Sequence, residues 1–172
     1  MDTMERYALW LLPDENTSNI LAEFIKTLGE RFGGPRFTPH ITVFGRISGE
    51  ENVLSNKVLE LSRKLQNFKV RPKELTGESY YFRSFYIALN QSAELIRIGQ
   101  IASELLQTKL SPNYRPHLSL LYGNQIRKHR DSLKNELSAS IPTEFIIDRL
   151  QLVRLQVSVA DWQAITTCEL LP

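Results

Sequence analysis

The sequence predicts an α+β protein of two pseudo-symmetric lobes, in which antiparallel sheet with outer helices surrounds a central cleft. Strand-like and helix-like patterns alternate along all 172 residues. Residues 39–45 (PHITVFG) recur as residues 116–123 (PHLSLLYG), and no Gly- or Ser-rich linker separates the halves. Halves without a flexible linker are expected to pack together, so we predict a single domain over residues 1–172. A doubly wound α/β sheet is the competing architecture.

The first half of the chain is predicted to run strand, helix, strand, helix. The strands are short apolar runs, the first closed by Pro13, and the helices carry apolar residues at helical spacing. Ser48 and Glu51 form a capping-box pattern at the start of the second helix. In chain order, we expect a strand at residues 7–12, a helix through residues 20–28 that stops at residues 33–35, a strand at 40–47 and a helix to about residue 66.

The second half repeats the order of a long helix, a turn containing proline and a motif strand. A strand is expected at residues 68–72 and another at 80–89, where apolar residues alternate. The helix that follows has one apolar face, and Pro112 lies in the turn after it. The remaining elements are a helix at residues 93–109, a strand from about residue 116, a basic helix at 126–137, and strands at 145–157 and 161–170.

Composition and charge fit a soluble globular protein. The chain has 21 basic and 19 acidic residues, a net charge of +2, which does not demand a long polyanionic partner. A single cysteine, Cys168, excludes an intrachain disulfide and a multi-cysteine metal cluster. No apolar run is long enough to span a bilayer, and the N-terminus has no signal-peptide core. We therefore expect a cytoplasmic monomer without membrane contact.

The repeated motif contains two of the three histidines of the chain. Each copy reads Pro, His, apolar, hydroxyl, apolar, aromatic, Gly, with one extra residue in the second copy. Residues two apart on a strand face the same side, so His40 projects with Thr42, and His117 with Ser119. Two facing imidazoles can act as general base and general acid near neutral pH, while the hydroxyls hold phosphate oxygens. The motif thus predicts chemistry at phosphorus that needs no metal and no cofactor.

A purely structural origin of the repeat is the competing explanation. A single His-x-Thr on a strand is usually structural, with its imidazole bonded to a neighbour. A duplication kept for core packing would preserve apolar positions, but it would not need histidine and hydroxyl residues at matching sites. The third histidine, His129, lies in a basic stretch without this context and is interpreted as a solvated helix residue.

These motifs resemble the 2H phosphoesterase superfamily, whose hallmark is a duplicated His-x-Thr/Ser. Within it, the chain is similar to the cyclic phosphodiesterases of the LigT-like fold, with Trp10 in the opening strand and Tyr122 three residues after Ser119. The resemblance implies hydrolysis of nucleoside 2′,3′-cyclic phosphates to 2′-phosphates, and of ADP-ribose 1″,2″-cyclic phosphate to ADP-ribose 1″-phosphate. Plant relatives carry several cysteines, whereas this chain has one, so disulfide-linked regulation should be absent.

The resemblance also assigns roles to individual residues. It makes His40 and His117 the acid–base pair, and we favour His117 as base and His40 as acid. Thr42 and Ser119 hold the phosphate, and Tyr122 and Trp10 line the nucleotide side. Trp10 could equally be a core residue, and strict alternation turns Tyr122 away from Ser119 unless the strand ends before Gly123.

Two other functions remain open at this point. One is RNA-end processing, either 2′-5′ RNA ligation or 3′-end trimming, by the same superfamily scaffold. The other is a non-catalytic nucleotide-binding module. The even charge balance speaks against an extended RNA groove, and the intact set of four polar residues speaks against a module that only binds. A small cyclic phosphate nucleotide is therefore the expected ligand, with RNA ends as the alternative.

Overall fold

The structure is a computed structural model that describes residues 6–172. Within this range it contains eight strands and four α-helices, joined in places by single 3₁₀ turns. The strands are β1 (Arg6–Pro13), β2 (Ile41–Ile47), β3 (Phe68–Val70), β4 (Pro72–Thr76), β5 (Phe85–Leu89), β6 (His117–Leu121), β7 (Phe145–Leu155) and β8 (Gln163–Glu169). The helices are α1 (Glu15–Phe32), α2 (Glu51–Ser62), α3 (Ala93–Leu106) and α4 (Arg130–Leu137).

All eight strands belong to one sheet, and every pairing between these strands is antiparallel. The order is β3-β7-β1-β2-β6-β5-β4, and β8 pairs with the part of β7 that extends beyond β3. The two halves meet where β2 pairs with β6, through the single pair Ile41 and Leu118. The α+β prediction is therefore confirmed, and the doubly wound parallel alternative is wrong.

The two halves repeat each other at the level of strand register. Trp10 on β1 lies opposite Thr42 on β2, and Tyr86 on β5 lies opposite Ser119 on β6. In both pairs the register shifts by one residue just before the aromatic side chain. Such an irregularity adds a residue to one strand and bends it. The same bend therefore occurs beside the hydroxyl residue in each half.

The register also corrects how the two motif copies align. Leu9 pairs with Phe44 in the first half, and Phe85 pairs with Leu121 in the second. Phe44 thus corresponds to Leu121, not to the aromatic Tyr122. Counting three residues on from each hydroxyl, the counterpart of Tyr122 is Gly45. Matching the closing glycines of the two copies therefore places the extra residue one position too early.

The start of α1 has a local side-chain cap, whereas the residue at the start of α2 makes tertiary contacts. At the start of α1, Asp14 Oδ1 accepts a hydrogen bond of 3.0 Å from the backbone N–H of Thr17. The predicted capping box at Ser48 is wrong, because α2 begins at Glu51 without a side-chain cap. Glu51 instead accepts hydrogen bonds from the Tyr7 hydroxyl and from Arg154.

Elements of the second half differ from the prediction near residues 72–84. A separate strand, β4, forms at Pro72–Thr76, whereas the predicted strand ends at residue 72. Residues Tyr81–Arg83 form a 3₁₀ turn and not the start of the predicted strand at 80–89. The backbone of this turn is held by β6, since Ser119 Oγ donates to the Phe82 carbonyl at 3.0 Å. The helices pack over a single hydrophobic cluster that runs along the sheet. In residues 6–172 no helix is long and apolar enough to cross a membrane.

Close approach of two backbone segments requires a glycine at position 77. A Cβ added to Gly77 would lie 2.0 Å from the Ser84 carbonyl oxygen and 2.7 Å from Arg130 Nε. We expect Gly77→Ala to lower the free energy of unfolding by about 1–3 kcal/mol, since the backbone must shift to relieve the overlap. Chemical denaturation measures this change.

Gly45→Ala is the matched control for this substitution. Its added Cβ would meet only Thr42 Cγ2, at 3.8 Å, which is ordinary contact. The control should change the free energy of unfolding by less than about 1 kcal/mol in either direction. Equal losses in the two variants would contradict the packing described for the 77–84 segment.

Candidate active site

A cavity of about 860 Å³ opens on one face of the sheet, above the strands where the two halves meet. The structure brings all six of the sequence-predicted site residues to its wall. They are Trp10, His40, Thr42, His117, Ser119 and Tyr122. Each half contributes one histidine and one hydroxyl, as the repeated motif implies. The cavity is therefore shared between the halves.

His40 is held by a backbone carbonyl and an aromatic ring. Its Nδ1 lies 2.7 Å from the Thr38 carbonyl oxygen, which can only accept a hydrogen bond. Nδ1 therefore carries the proton, and Nε2 is the ring nitrogen left for a ligand. The Trp10 ring stacks on the imidazole with centroids 3.6 Å apart and planes 10° from parallel. His40 is only 5% exposed.

His117 repeats the same arrangement in the second half. Its Nδ1 lies 3.0 Å from the Arg115 carbonyl oxygen, again two residues back along the chain. The Tyr86 ring approaches the imidazole edge-on, at 5.1 Å between centroids. A proline separates each histidine from its acceptor carbonyl, and proline fixes its own φ and lacks an N–H. The Pro-His pair thus orients both rings in the same way.

The hydroxyl of each half lies beside its histidine. Thr42 is half-buried, and its carbonyl accepts a hydrogen bond of 3.1 Å from the Tyr114 hydroxyl. Ser119 Oγ donates a hydrogen bond of 3.0 Å to the Phe82 carbonyl. Because β6 ends at Leu121, strict alternation no longer applies to Tyr122. This is the condition under which the sequence allowed Tyr122 to face the cleft.

Trp10 has both of the roles that the sequence left open. It is only 4% exposed and packs in a small apolar cluster with Ala8, Leu12 and Val153. It also lines the cavity and covers one face of His40. Trp10 is thus a core residue whose inner face forms part of the cleft wall.

Trp162 also lies in the wall of the cavity, which the sequence did not predict. Its ring lies 5.7 Å from Trp10 and 6.0 Å from Phe82, with the second pair 24° from parallel. Trp162 follows a 3₁₀ turn after β7 and has no motif around it, so no local signal could have marked it. Phe82 also lines the cavity, whereas Phe85 is fully buried in the core.

Among residues 6–172, three arginines and no acidic side chain line the cavity. Arg83 is ion-paired with Glu78 at 3.2 Å, and its guanidinium carbon lies 4.9 Å from the centroid of the Tyr86 ring. Arg6 and Arg46 are the other two, and both are exposed. The wall of the cavity is thus positive and suited to an anion.

Burial favours the neutral form of both histidines. It lowers the pKa of His40 to about 3, with a small further decrease from nearby His117, while the bond to the Thr38 carbonyl opposes the change. Burial also lowers the pKa of His117, while the hydrogen bond to the Arg115 carbonyl and the charge of Glu78 oppose the change and the positive charges of Arg83 and Arg115 assist it. Neither ring carries a proton on Nε2 at neutral pH until something compensates its charge.

The lowered pKa of His40 makes stability depend on pH. In the unfolded chain this histidine takes up a proton below about pH 6.5, but in the folded protein only near pH 3. Its contribution to stability is therefore present above about pH 6.5 and is lost as the pH falls toward 3. Between pH 7 and pH 5 we expect it to account for a loss of about 2 kcal/mol in the free energy of unfolding.

Denaturation of the wild type and of His40→Gln at both pH values measures this contribution. The variant should lose about 2 kcal/mol less than the wild type over that interval. His129→Gln, an exposed histidine outside the cavity, is the control and should follow the wild type. Parallel pH profiles for all three proteins would contradict a neutral, buried His40.

Comparisons with known proteins agree on the family. A sequence model described as cyclic phosphodiesterase-like protein matches residues 4–170. An Arabidopsis thaliana protein named cyclic phosphodiesterase is 24% identical over 176 residues, covering 96% of each chain. Among solved structures, E. coli LigT complexed with 3′-AMP aligns with a TM-score of 0.61 at 13% identity, over 98% of this chain and 99% of that one.

A second solved structure has the same fold. A protein of Thermus thermophilus aligns with a TM-score of 0.61 at 14% identity, over 96% of this chain and 97% of the other. These structural likenesses concern the fold, whereas the sequence model spans nearly the whole chain. The chain therefore belongs to the cyclic phosphodiesterase-like family and is an enzyme of that family.

Proposed function

We propose that the enzyme hydrolyses small cyclic phosphates by a two-histidine mechanism that needs no metal or cofactor. The substrates are nucleoside 2′,3′-cyclic phosphates, opened to 2′-phosphates, and ADP-ribose 1″,2″-cyclic phosphate, opened to ADP-ribose 1″-phosphate. One observation carries the proposal: two imidazoles, each with Nδ1 bonded to a backbone carbonyl, share one cavity with two hydroxyls. Both rings therefore offer Nε2 to the same ligand.

In the proposed reaction His117 is the base and His40 the acid. His117 Nε2 takes a proton from a water molecule, whose oxygen attacks phosphorus opposite the leaving oxygen. The bond from phosphorus to that oxygen breaks, and the proton on His40 Nε2 moves to it. The next cycle begins after a proton returns from His117 to solvent and one is regained by His40.

The surroundings of the two rings support this division of roles. Burial disfavours a positive charge on His117, and the charges of Arg83 and Arg115 add to this effect against the Arg115 carbonyl and Glu78. His117 is therefore available as a base. The indole face of Trp10 lies flat against His40, and a tryptophan face attracts a cation. Because burial lowers the pKa of His40 to about 3, His40 must gain its proton when the anionic phosphate binds.

The remaining four residues would bind the substrate around this axis. Thr42 donates to a non-bridging oxygen, where negative charge accumulates during attack. Ser119 does the same once its hydroxyl proton turns from the Phe82 carbonyl to the phosphate. Trp10 and Tyr122 supply aromatic faces for the nucleoside. If the nucleoside is fixed in one orientation, only one ester oxygen faces His40. We propose that this is the 3′ oxygen or its equivalent, so the product keeps its phosphate at the 2′ position.

Alanine variants of the two histidines test the mechanism. His40→Ala and His117→Ala should each lower turnover of 2′,3′-cyclic AMP by about 10²–10⁴-fold, the usual worth of a positioned acid or base. His129→Ala is the matched control and should retain wild-type turnover, because His129 lies outside the cavity. Phosphorus NMR of the wild-type product should show a 2′-phosphate alone.

Three outcomes would contradict this proposal. They are near wild-type turnover in a folded His40→Ala or His117→Ala variant, a mixture of 2′- and 3′-phosphates, or loss of activity in EDTA that added metal restores. Assay of a short RNA ending in a cyclic phosphate separates the RNA-end alternative, which predicts faster turnover of the RNA than of the mononucleotide.

Anion binding should be accompanied by proton uptake. Sulfate does not itself titrate near pH 6, so a proton taken up on its binding enters the protein. We expect about one proton per bound sulfate at pH 6, because the anion compensates the charge of a protonated His40. Calorimetric titration in buffers of different ionisation enthalpy measures the number.

Glutamine variants of the two histidines show which residue takes up that proton. His40→Gln should abolish most of the uptake, whereas His117→Gln should leave most of it. Heats that do not depend on the buffer would show that His40 stays neutral, which would argue against its role as the acid.

A further inference from the structure

The two ends of the cavity differ, although the halves that form them are related. Tyr122, three residues after Ser119, fills one end, and its ring stacks on Phe37 with centroids 3.9 Å apart. Gly45 occupies the equivalent position after Thr42, and a Cβ there would meet only the Thr42 methyl group, at 3.8 Å. The side of the cavity next to Thr42 is therefore open where the side next to Ser119 is closed.

Strand β1 continues this asymmetry. Alternate residues of the strand, Arg6, Ala8 and Trp10, line the cavity. In the second half, the residue four before Tyr86 is Phe82, and its ring lies 5.2 Å from Tyr122. Beyond the histidine pair, one half thus presents aromatic rings. The other half presents the Trp10 ring beside His40, then two residues with little or no side chain, Ala8 and Gly45, and then arginine.

Two arginines lie at the open end of the cavity. Tyr7 pairs with Ile47, so Arg6 and Arg46 are diagonal neighbours on adjacent strands, roughly 7–8 Å apart at the backbone. Both line the cavity and both are exposed. Neither makes an ion pair with any residue in the described range, whereas Arg83 is paired with Glu78. Their charges are thus uncompensated within residues 6–172, where no acidic side chain lines the cavity.

The spacing suits a ligand with two anionic groups. Arg46 follows Thr42 by four residues, and Arg6 precedes Trp10, the strand partner of Thr42, by four. Their backbones therefore lie roughly 12–13 Å from those of Thr42 and Trp10. Because extended arginine side chains cover part of that distance, a ligand needs to span only the remainder to contact the guanidinium groups. A phosphoryl group bound between the histidines therefore leaves room for a second one on the same small molecule.

We propose that Arg6 and Arg46 form a second anion subsite, which binds a further phosphoryl group of a nucleotide whose cyclic phosphate lies between the histidines. The inference rests on the proposed function, because it uses the histidine pair as the first phosphate site. Substrates that carry a second phosphoryl group are then preferred over simple cyclic mononucleotides. The preference arises at the open end of the cavity and is electrostatic, so it weakens as salt rises.

A pair of product-like ligands isolates the second phosphoryl group. Adenosine 2′-monophosphate and adenosine 2′,5′-bisphosphate differ only by the phosphate at the 5′ position. Calorimetry at low salt should show the bisphosphate binding about tenfold more tightly to the wild type. The Arg6→Gln and Arg46→Gln variants should each reduce this ratio several-fold, and the double variant should bring it close to one.

Arg127→Gln is the matched control. Arg127 is exposed and lies outside the cavity, so its loss changes the net charge equally and should leave the tenfold ratio in place. A wild-type ratio near one, or a tenfold ratio that persists in the double variant, would show that Arg6 and Arg46 are merely solvated. The subsite would then be wrong.

Hydrolysis by the wild type separates this inference from the proposed function. If the wild type hydrolyses 2′,3′-cyclic AMP but binds both ligands equally, only the second subsite is overturned. If it neither hydrolyses the cyclic nucleotide nor binds adenosine 2′-monophosphate, the proposed function fails, and the subsite fails with it.

Discussion

The site depends on one type of hydrogen bond, which occurs once in each half. In each half a histidine Nδ1 donates to the carbonyl two residues earlier, across a proline. This bond fixes both the tautomer and the ring orientation, which are otherwise free in an imidazole. It leaves Nε2 of His40 and of His117 as the two nitrogens available in a single cavity. The sheet brings the two histidines together, because β2 and β6 pair through Ile41 and Leu118, the residues that directly follow them.

Asymmetry between the halves gives the duplicated site a direction. Trp10 covers a face of His40, whereas Tyr86 approaches His117 by its edge, and Arg83 lies on the His117 side. These differences distinguish two rings whose own motifs are nearly alike. In the proposed mechanism, a symmetric pair could bind the phosphate but could not assign acid and base to fixed ends of the reaction axis. In that mechanism the aromatic and basic surroundings decide which imidazole is the acid and which is the base.

The sequence predicted most of this site because its signals are local. His40, Thr42, His117 and Ser119 follow from a repeated pattern and from the alternation of side chains on a strand. Trp162 and the strand β4 could not be predicted, since their positions depend on distant pairing in the sheet. The predicted capping box is wrong for a similar reason, because Glu51 accepts hydrogen bonds from the distant residues Tyr7 and Arg154.

The central claim is that both imidazoles hold their proton on Nδ1 and present an unprotonated Nε2 to the cavity. Nitrogen-15 NMR of the histidine side chains in the ligand-free protein tests it most directly, because the two ring nitrogens have distinct shifts when protonated and when not. The account predicts the Nδ1–H tautomer, neutral at pH 7, for His40 and His117. A protonated Nε2 on either ring, or averaged shifts that indicate exchanging tautomers, would contradict it.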